Sequence, residues 1–235
     1  MRKEEFGVGT FAHIVKRGAR QGLIVRDEAD RWRFIKLLRY TNDANSPRHW
    51  ERDIGPEHIR NNFARPDSWK PCRPYVSIAA YCLMDNHFHL LVQEKEENGI
   101  STFMQRLGRS MAAHHNAKYQ ESGALFQGPY IARVVTDDDH LQYLATYIQV
   151  KNPMERYPDG VRSAVHNFDR AFAWVEQDPF SSLAAYTGKK SSSIVDHDVI
   201  DDFFPDTAHI RRIARGIMQD KYIIDEVLAM LKIDE

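Results

Sequence analysis

Tyr75 to Gln93 reads YVSIAAYCLMDNHFHLLVQ, and the spacing of its apolar residues decides the fold class. Tyr75 to Met84 is largely apolar and rich in β-formers, Asp85 and Asn86 supply turn chemistry, and His87 to Gln93 alternates. Such a pair predicts a β-hairpin. Alternate side chains of a strand share a face, so Phe88, Leu90 and Val92 are expected to enter the core while His87 and His89 point together to the other side.

Upstream of the hairpin, no period holds from Asn42 to Pro74. Pro47, Pro56, Pro66, Pro71 and Pro74 interrupt it, and only Pro56 to Ala64 leaves room for a short helix. This stretch reads as an insertion packed over the core by Trp50, Phe63 and Trp69. Before it, Trp32, Ile35, Leu37 and Leu38 recur at helical spacing up to Tyr40, with Asp27 as N-cap and Asp30 in the first turn. Thr10 to Lys16 alternates as a strand, and Gly18 and Gly22 punctuate the loop after it.

Downstream, Ser101 to Tyr119 predicts a long helix with Phe103, Leu107, Met111 and either His114 or His115 along one side. Gly123 ends that region, and Phe126 to Val135 reads as a further strand. Thr136 to Asp139 is an acidic, cap-like entry to a helix from His140 to Lys151, which Pro153 is expected to stop. The order is strand, helix, strand, strand, helix, strand, helix. It predicts an α+β, ferredoxin-like (split βαβ) antiparallel sheet with helices on one face, plus an extra tyrosine-bearing helix and a helical C-terminal extension. Residues 154 to 235 offer a Ser-rich loop around Lys189 to Ser193 and a final helix from Ala208 to Leu231, with no internal repeat. A fold of this kind implies no function by itself.

Composition sets limits around that fold. The chain has 235 residues, of which 43% are hydrophobic and 28% charged, enough for one core plus an appendage. Neither a run of about 18 apolar residues nor an apolar leader segment occurs, so a soluble, cytoplasmic protein is expected. The two cysteines, Cys72 and Cys82, exclude a disulfide framework and a cysteine-rich zinc site. The formal net charge of -1 gives no nucleic-acid signal by itself, but its distribution is uneven. Residues 1 to 26 carry Arg2, Lys3, Lys16, Arg17, Arg20 and Arg26 against Glu4 and Glu5, while residues 196 to 235 hold ten acids against five bases. A basic working face with an acidic tail fits that pattern.

Two features carry chemistry. His87 and His89 offer two neighbouring imidazoles, which suit a divalent cation with open positions for water and a phosphate, and equally suit the polar face of an amphipathic strand. The segment His140 to Pro153 reads HLQYLATYIQVKNP, where Tyr143, Tyr147 and Lys151 share one helix face and Leu141, Leu144, Ala145 and Ile148 form the opposing buried stripe. A phenol needs a nearby cation or base to act as a nucleophile, and tyrosines on helices are more often packing residues. Asn86 and Asp85 add donors beside the histidines and are also ordinary turn residues.

Taken together, AYCLMDNHFHLLVQ (Ala80 to Gln93), the helix around Phe103, Met104 and Gln105, LFQGPY (Leu125 to Tyr130) and YIQVKNP (Tyr147 to Pro153) resemble the single-tyrosine HUH transposases. More narrowly they resemble the REP-associated tyrosine transposase branch, from Thr10 to Pro153, with a weaker echo in FSSLAAYTG (Phe180 to Gly188). The resemblance implies a catalytic domain over residues 1–160, with the insertion at 42–74, and a C-terminal extension of loop plus helix over 161–235. It implies Mg²⁺ or Mn²⁺ on His87 and His89 and attack by Tyr147 on single-stranded DNA beside a hairpin or palindrome. The product would be a 5′-phosphotyrosine link that is rejoined without a nucleotide cofactor. A homodimer and association with the nucleoid are compatible with it.

In that family a Gln or Asn four residues after the tyrosine completes the metal site, whereas Lys151 stands there and Asn152 follows. Either Asn152 reaches the ion through a change of helix register, or Gln149 or water replaces it, or Lys151 contacts the scissile phosphate. Pro129 also replaces a common arginine. Lys16, Arg17, Arg106, Arg109 and Arg133 are candidates for a phosphate track. Two other readings remain: a hairpin-binding protein impaired in catalysis, and a metal-dependent phosphoesterase.

Overall fold

A computed structural model describes residues 6–60 and 62–219. Four strands, β1 (Phe11–Arg17), β2 (Val76–Leu83), β3 (His87–Glu94) and β4 (Ile131–Val135), form one sheet in the order β2-β3-β1-β4. All three pairings are antiparallel. Helix α1 (Glu28–Tyr40) follows β1 and helix α2 (Gly99–Tyr119) follows β3, which gives the ferredoxin-like α+β arrangement expected from the order of elements. The part of the expected final helix beyond residue 219 lies outside the described residues.

Alternation along β3 fills two cores at once. Phe88, Leu90 and Val92 join Ile14 of β1, Phe34, Ile35, Leu37 and Leu38 of α1, and Phe103 and Leu107 of α2 in one cluster. Each such side chain contributes roughly 1.5–3 kcal/mol when fully buried. A β-bulge between Ile78 and Ala80 shifts the register of β2, so Ala79, Ala80 and Cys82 join Leu91 in the cluster on the reverse face. That face is not the solvated one an isolated hairpin suggests. All eight residues of β2 are buried.

The layer over the reverse face is the tyrosine-bearing segment. Helix α3 (Asp138–Thr146) opens on Asp137, whose side chain accepts from His140 N–H. It runs into a π-helical turn, Tyr147–Lys151, and a last helical turn, Asn152–Met154. Pro153 does not stop the helix at Lys151: it occupies the start of that last turn, where a missing N–H costs nothing. Helices α4 (Gly160–His166), α5 (Phe168–Val175) and α6 (Thr207–Gln219) then close over the segment, with Val150 and Met154 packed among Ala164, Phe168, Phe172 and Ile210. The extension is thus richer than loop plus helix. The tyrosine helix keeps no broad exposed face, because residues 144–154 are all buried between the sheet and this outer layer.

Two further expectations shift. The last strand begins at Ile131, not at Phe126, because Gly128 takes a left-handed φ of 60° and Pro129 has no N–H to pair. Phe126 makes only an isolated bridge to Gly18. The insertion packs as expected through buried Trp50 and Phe63, with Trp50 stacked on Tyr40 at 4.8 Å. Its anchor is buried Asp43, which takes Arg65 Nε at 2.9 Å and the Arg73 N–H at 3.0 Å. Arg106 donates to the Asp43 carbonyl and to the Tyr75 hydroxyl, at 3.1 and 2.9 Å, and so ties the insertion to α2.

The two helices of the first layer are tied at one end. Asp27 caps α1, and buried Asp30 accepts from Lys118 at 2.7 Å, from the Tyr119 hydroxyl at 2.7 Å and from the Arg26 N–H at 2.9 Å. Removing one side of such a network leaves charged or polar partners unpaired. Asp30→Ala is expected to lower stability by about 1–3 kcal/mol in a urea titration, and an unchanged midpoint would show that the clasp is idle.

Candidate functional site

His87 and His89 do share a face of β3, with ring centroids 4.9 Å apart. Their surroundings differ. His87 lies at the start of β3, directly across from Arg17 of β1, and its Nδ1 is 2.7 Å from the Asn86 side-chain oxygen. Asn86 Nδ2 meanwhile donates to the Gln21 carbonyl at 3.3 Å, which fixes the amide orientation. An amide oxygen can only accept, so His87 carries its proton on Nδ1 and its Nε2 lone pair is free. His89 is 1% exposed and lies opposite Val15 of β1 and Cys82 of β2.

Both imidazoles are held neutral. Burial is the first cause, pulling His87 down to about 4, with the Arg17 charge adding to it. His89 falls well below the ordinary value for the same reason, reinforced by His87 and His13. Neutral imidazole is the form that binds metals.

Tyr147 lies over the same side of the sheet, in one cluster with Cys82 and Leu91. Lys151 joins the two halves of the site: its Nζ is 3.3 Å from the Tyr147 hydroxyl, and its charge acts on both His87 and His89. Glu155, one turn on, pairs with Lys151. Tyr147 itself is 2% exposed, and burial, followed by the Glu155 charge, pushes its phenol above the usual range. Tyr143 stacks beside it at 6.1 Å.

The π-helical turn bears on the residue that follows Lys151. Its i→i+5 bonding places the Asn152 N–H on the Tyr147 carbonyl, so Asn152 and not Lys151 closes the turn that Tyr147 opens. The change of helix register named among the alternatives is therefore present. Asn152 is 2% exposed with its Nδ2 unpartnered. Gln149 is fully buried, and neither its Oε1 nor its Nε2 has a partner. Buried orphan amide groups are uncommon in folded proteins; here the Gln149 oxygen is free to accept or ligate, while the two amide nitrogens can only donate, to an acceptor such as a phosphate oxygen. Among the described residues no group of three His, Cys, Asp and Glu side chains could hold a metal, so a cation here needs an amide or water beside the histidines.

Of the basic residues, Arg17 reaches the site through its register with His87. Lys16 turns to the Gly128 carbonyl at 3.2 Å and lies over Phe126. Arg109 and Arg133 are exposed. Sequence reading missed His13, whose ring stacks on His89 at 5.3 Å with 15° between the planes. The signal was within reach: His13 stands in the alternating stretch of the first strand, on the same parity as Phe11 and Val15.

Fold and site together define an α+β domain with a histidine pair and a buried tyrosine on one side of its sheet. Residues 72–151 match the family model described as "Transposase IS200 like", and that stretch contains His87, His89, Tyr147 and Lys151. For this stretch the resemblance drawn from the motifs is borne out. No curated protein matches the chain. Among solved structures, one of a REP-associated tyrosine transposase bound to a REP hairpin aligns at 13% identity and a TM-score of 0.47, covering 83% of this chain and 93% of that one. A candidate transposase from Deinococcus radiodurans aligns at 17% identity and a TM-score of 0.30, covering 61% and 93%. Among the described residues no helix is long and apolar enough to cross a membrane.

Two outcomes follow from the burial of these groups. The folded-state pKa of His87 is depressed from 6.5 to about 4, so the unfolded chain binds the proton more tightly. The stability this group contributes is full above 6.5 and is lost as pH falls toward 4. Urea midpoints of the metal-free protein should drop across that window, and His87→Gln should flatten the drop. Gln149→Met keeps the volume and removes the two orphan amide atoms, and should raise metal-free stability by about 1–2 kcal/mol. A loss of stability instead would mean that the amide is satisfied.

Proposed function

We propose that this chain is a DNA strand transferase of the tyrosine transposase kind, which cleaves and rejoins single-stranded DNA beside hairpins. The observation that carries the reading is the placement of His87 and His89 under the Tyr147 segment, on one side of the sheet, within a stretch that matches a transposase family. The hairpin substrate rests on the resemblance of the motifs.

In this reading His87 and His89 would hold Mg²⁺ or Mn²⁺, and Asn152 would supply the third protein ligand. The donor set fits in its chemistry: two neutral imidazoles bring nitrogen lone pairs, and the amide oxygen of buried Asn152 would add a third donor, with water and phosphate oxygens completing the set. When bound, the cation would polarise the scissile phosphate and offset the charge that builds up there. Tyr147 Oη attacks phosphorus, an O–P bond forms, and the bond from phosphorus to the 3′-oxygen breaks. The phenol gives up its proton, the departing 3′-oxygen takes one up, and the DNA 5′-phosphate is left on the tyrosine. Rejoining is the reverse displacement by a 3′-hydroxyl, so no energy source is consumed. The Lys151 ammonium, hydrogen-bonded to Tyr147 Oη, favours the phenolate, and Arg17, beside His87, is placed for a phosphate oxygen.

The 2% exposure of Tyr147 favours a second reading, a protein that binds hairpin DNA without cleaving it. One experiment separates the two. A labelled single strand bearing a hairpin, incubated with the protein and Mn²⁺, should give a covalent adduct on a denaturing gel. Tyr147→Phe should abolish it, His87→Ala and His89→Ala should lower it by at least 100-fold, and Tyr143→Phe should leave it. Retarded but uncut DNA would favour the binder, and free cleaved ends without adduct would mean hydrolysis through water.

A further inference from the structure

We infer that His13 is a positioning residue for the cation site: its Nε2 accepts the hydrogen bond of His89 Nδ1–H and so presents the His89 Nε2 lone pair to the metal. The inference rests on the metal-binding reading given above and adds to it a residue outside the transposase-like stretch of 72–151.

The contact is direct. His13 Nε2 and His89 Nδ1 are 3.0 Å apart, and the ring planes lie within 15° of each other, so the two nitrogens meet nearly in the plane of both rings. Both sit on neighbouring strands of one sheet, where backbone pairing of Val15 with His89 and of His13 with Leu91 fixes the offset between them. Two neutral imidazoles at this distance share a single hydrogen, so the pair has two arrangements. In one, His13 donates, and His89 carries its own hydrogen on Nε2, where it blocks a metal. In the other, His89 donates from Nδ1 and its Nε2 is free.

The neighbouring histidine shows why the second arrangement matters. His87 has its Nδ1 hydrogen fixed by the Asn86 oxygen, which cannot donate, so its Nε2 is always ready. Among the described residues the partner of His89 Nδ1 is His13 Nε2, which can either donate or accept. Ligating histidines generally donate their other ring N–H to an oriented acceptor, and losing that acceptor typically costs 10- to 100-fold in metal affinity. Asn86 and His13 therefore play the same part for the two ligands, one by amide oxygen and one by imidazole.

Titration of the full chain with Mn²⁺, followed by the electron paramagnetic resonance signal of the free ion, tests this without any DNA chemistry. His13→Leu should weaken Mn²⁺ binding by about 10- to 100-fold. His13→Gln, whose Oε1 can accept from His89 Nδ1, should recover affinity to within a few-fold of the unmutated protein. Metal-free thermal unfolding checks that each variant folds, and His13→Phe, which keeps an aromatic ring but has no acceptor, replaces His13→Leu if that variant does not fold. Ring-nitrogen chemical shifts of the unmutated protein with Mg²⁺ read the same point independently: a hydrogen on His89 Nδ1 agrees, and one on Nε2 overturns the inference. Leu or Phe variants that bind as tightly as the unmutated chain, or a Gln variant as weak as Leu, also overturn it. If the unmutated chain binds no Mn²⁺, or binds it undiminished after His87→Ala, the metal reading itself fails first.

Discussion

The two-residue period of β3 is the constraint that joins the core to the site. Phe88, Leu90 and Val92 cannot leave the core under α1 and α2 without taking His87 and His89 out of the opposite layer. A slip of one residue would exchange the two sets entirely, placing imidazoles among Phe34 and Phe103 and phenylalanine under the tyrosine segment. The hydrophobic burial that fixes this register is far larger than any polar contact in the site, so the histidine pair is positioned by the core and not by its own interactions. The bulge in β2 serves the same end, since it turns Ala79 and Ala80 together toward the reverse face, where small side chains leave space for the helical layer above.

That layer changes the electrostatics of everything beneath it. An exposed histidine pair would titrate near neutrality and compete poorly for a cation below that pH. Covered by the Tyr147 segment and then by α4, α5 and α6, both rings stay neutral through the physiological range. The same cover acts against the phenol, because burial disfavours phenolate as surely as it disfavours imidazolium. Lys151 works in the opposite sense on the phenol, through its hydrogen bond to Oη, but part of its charge is committed to Glu155. In the resting protein burial prevails. A phosphate entering beside Arg17 would alter that balance by bringing negative charge against Arg17 and Lys151.

The hairpin, the Asp27 cap, the two helices of the first layer and the order of elements were legible because each rests on a local period or a local cap. What lay hidden depends on contacts distant in sequence. His13 and His89 are 76 residues apart, and nothing in either neighbourhood announces that one ring will stack on the other. The cover over β3 was invisible for the same reason: α5 has an ordinary amphipathic pattern, and only the fold tells which surface it meets. Arg106 reads as a surface cation until Asp43 and Tyr75 are brought to it by the insertion.

The π-helical turn is the case in which local sequence and distant packing meet. YIQVKNP contains one more residue between its tyrosine and its asparagine than an α-helical turn allows, so a regular helix would align Tyr147 with Lys151 and rotate Asn152 away by about 100°. The wider turn accommodates the extra residue without breaking the helix: the Lys151 side chain meets the phenol, and the Asn152 backbone N–H closes the turn on the Tyr147 carbonyl. Its cost falls on Gln149, which the wider turn carries into the interior with its amide unpaired. A sequence selected for packing alone would place an apolar residue there. That the chain keeps a polar group at such a point, inside a π-helical turn, fits a segment shaped by what it binds more than by its own stability.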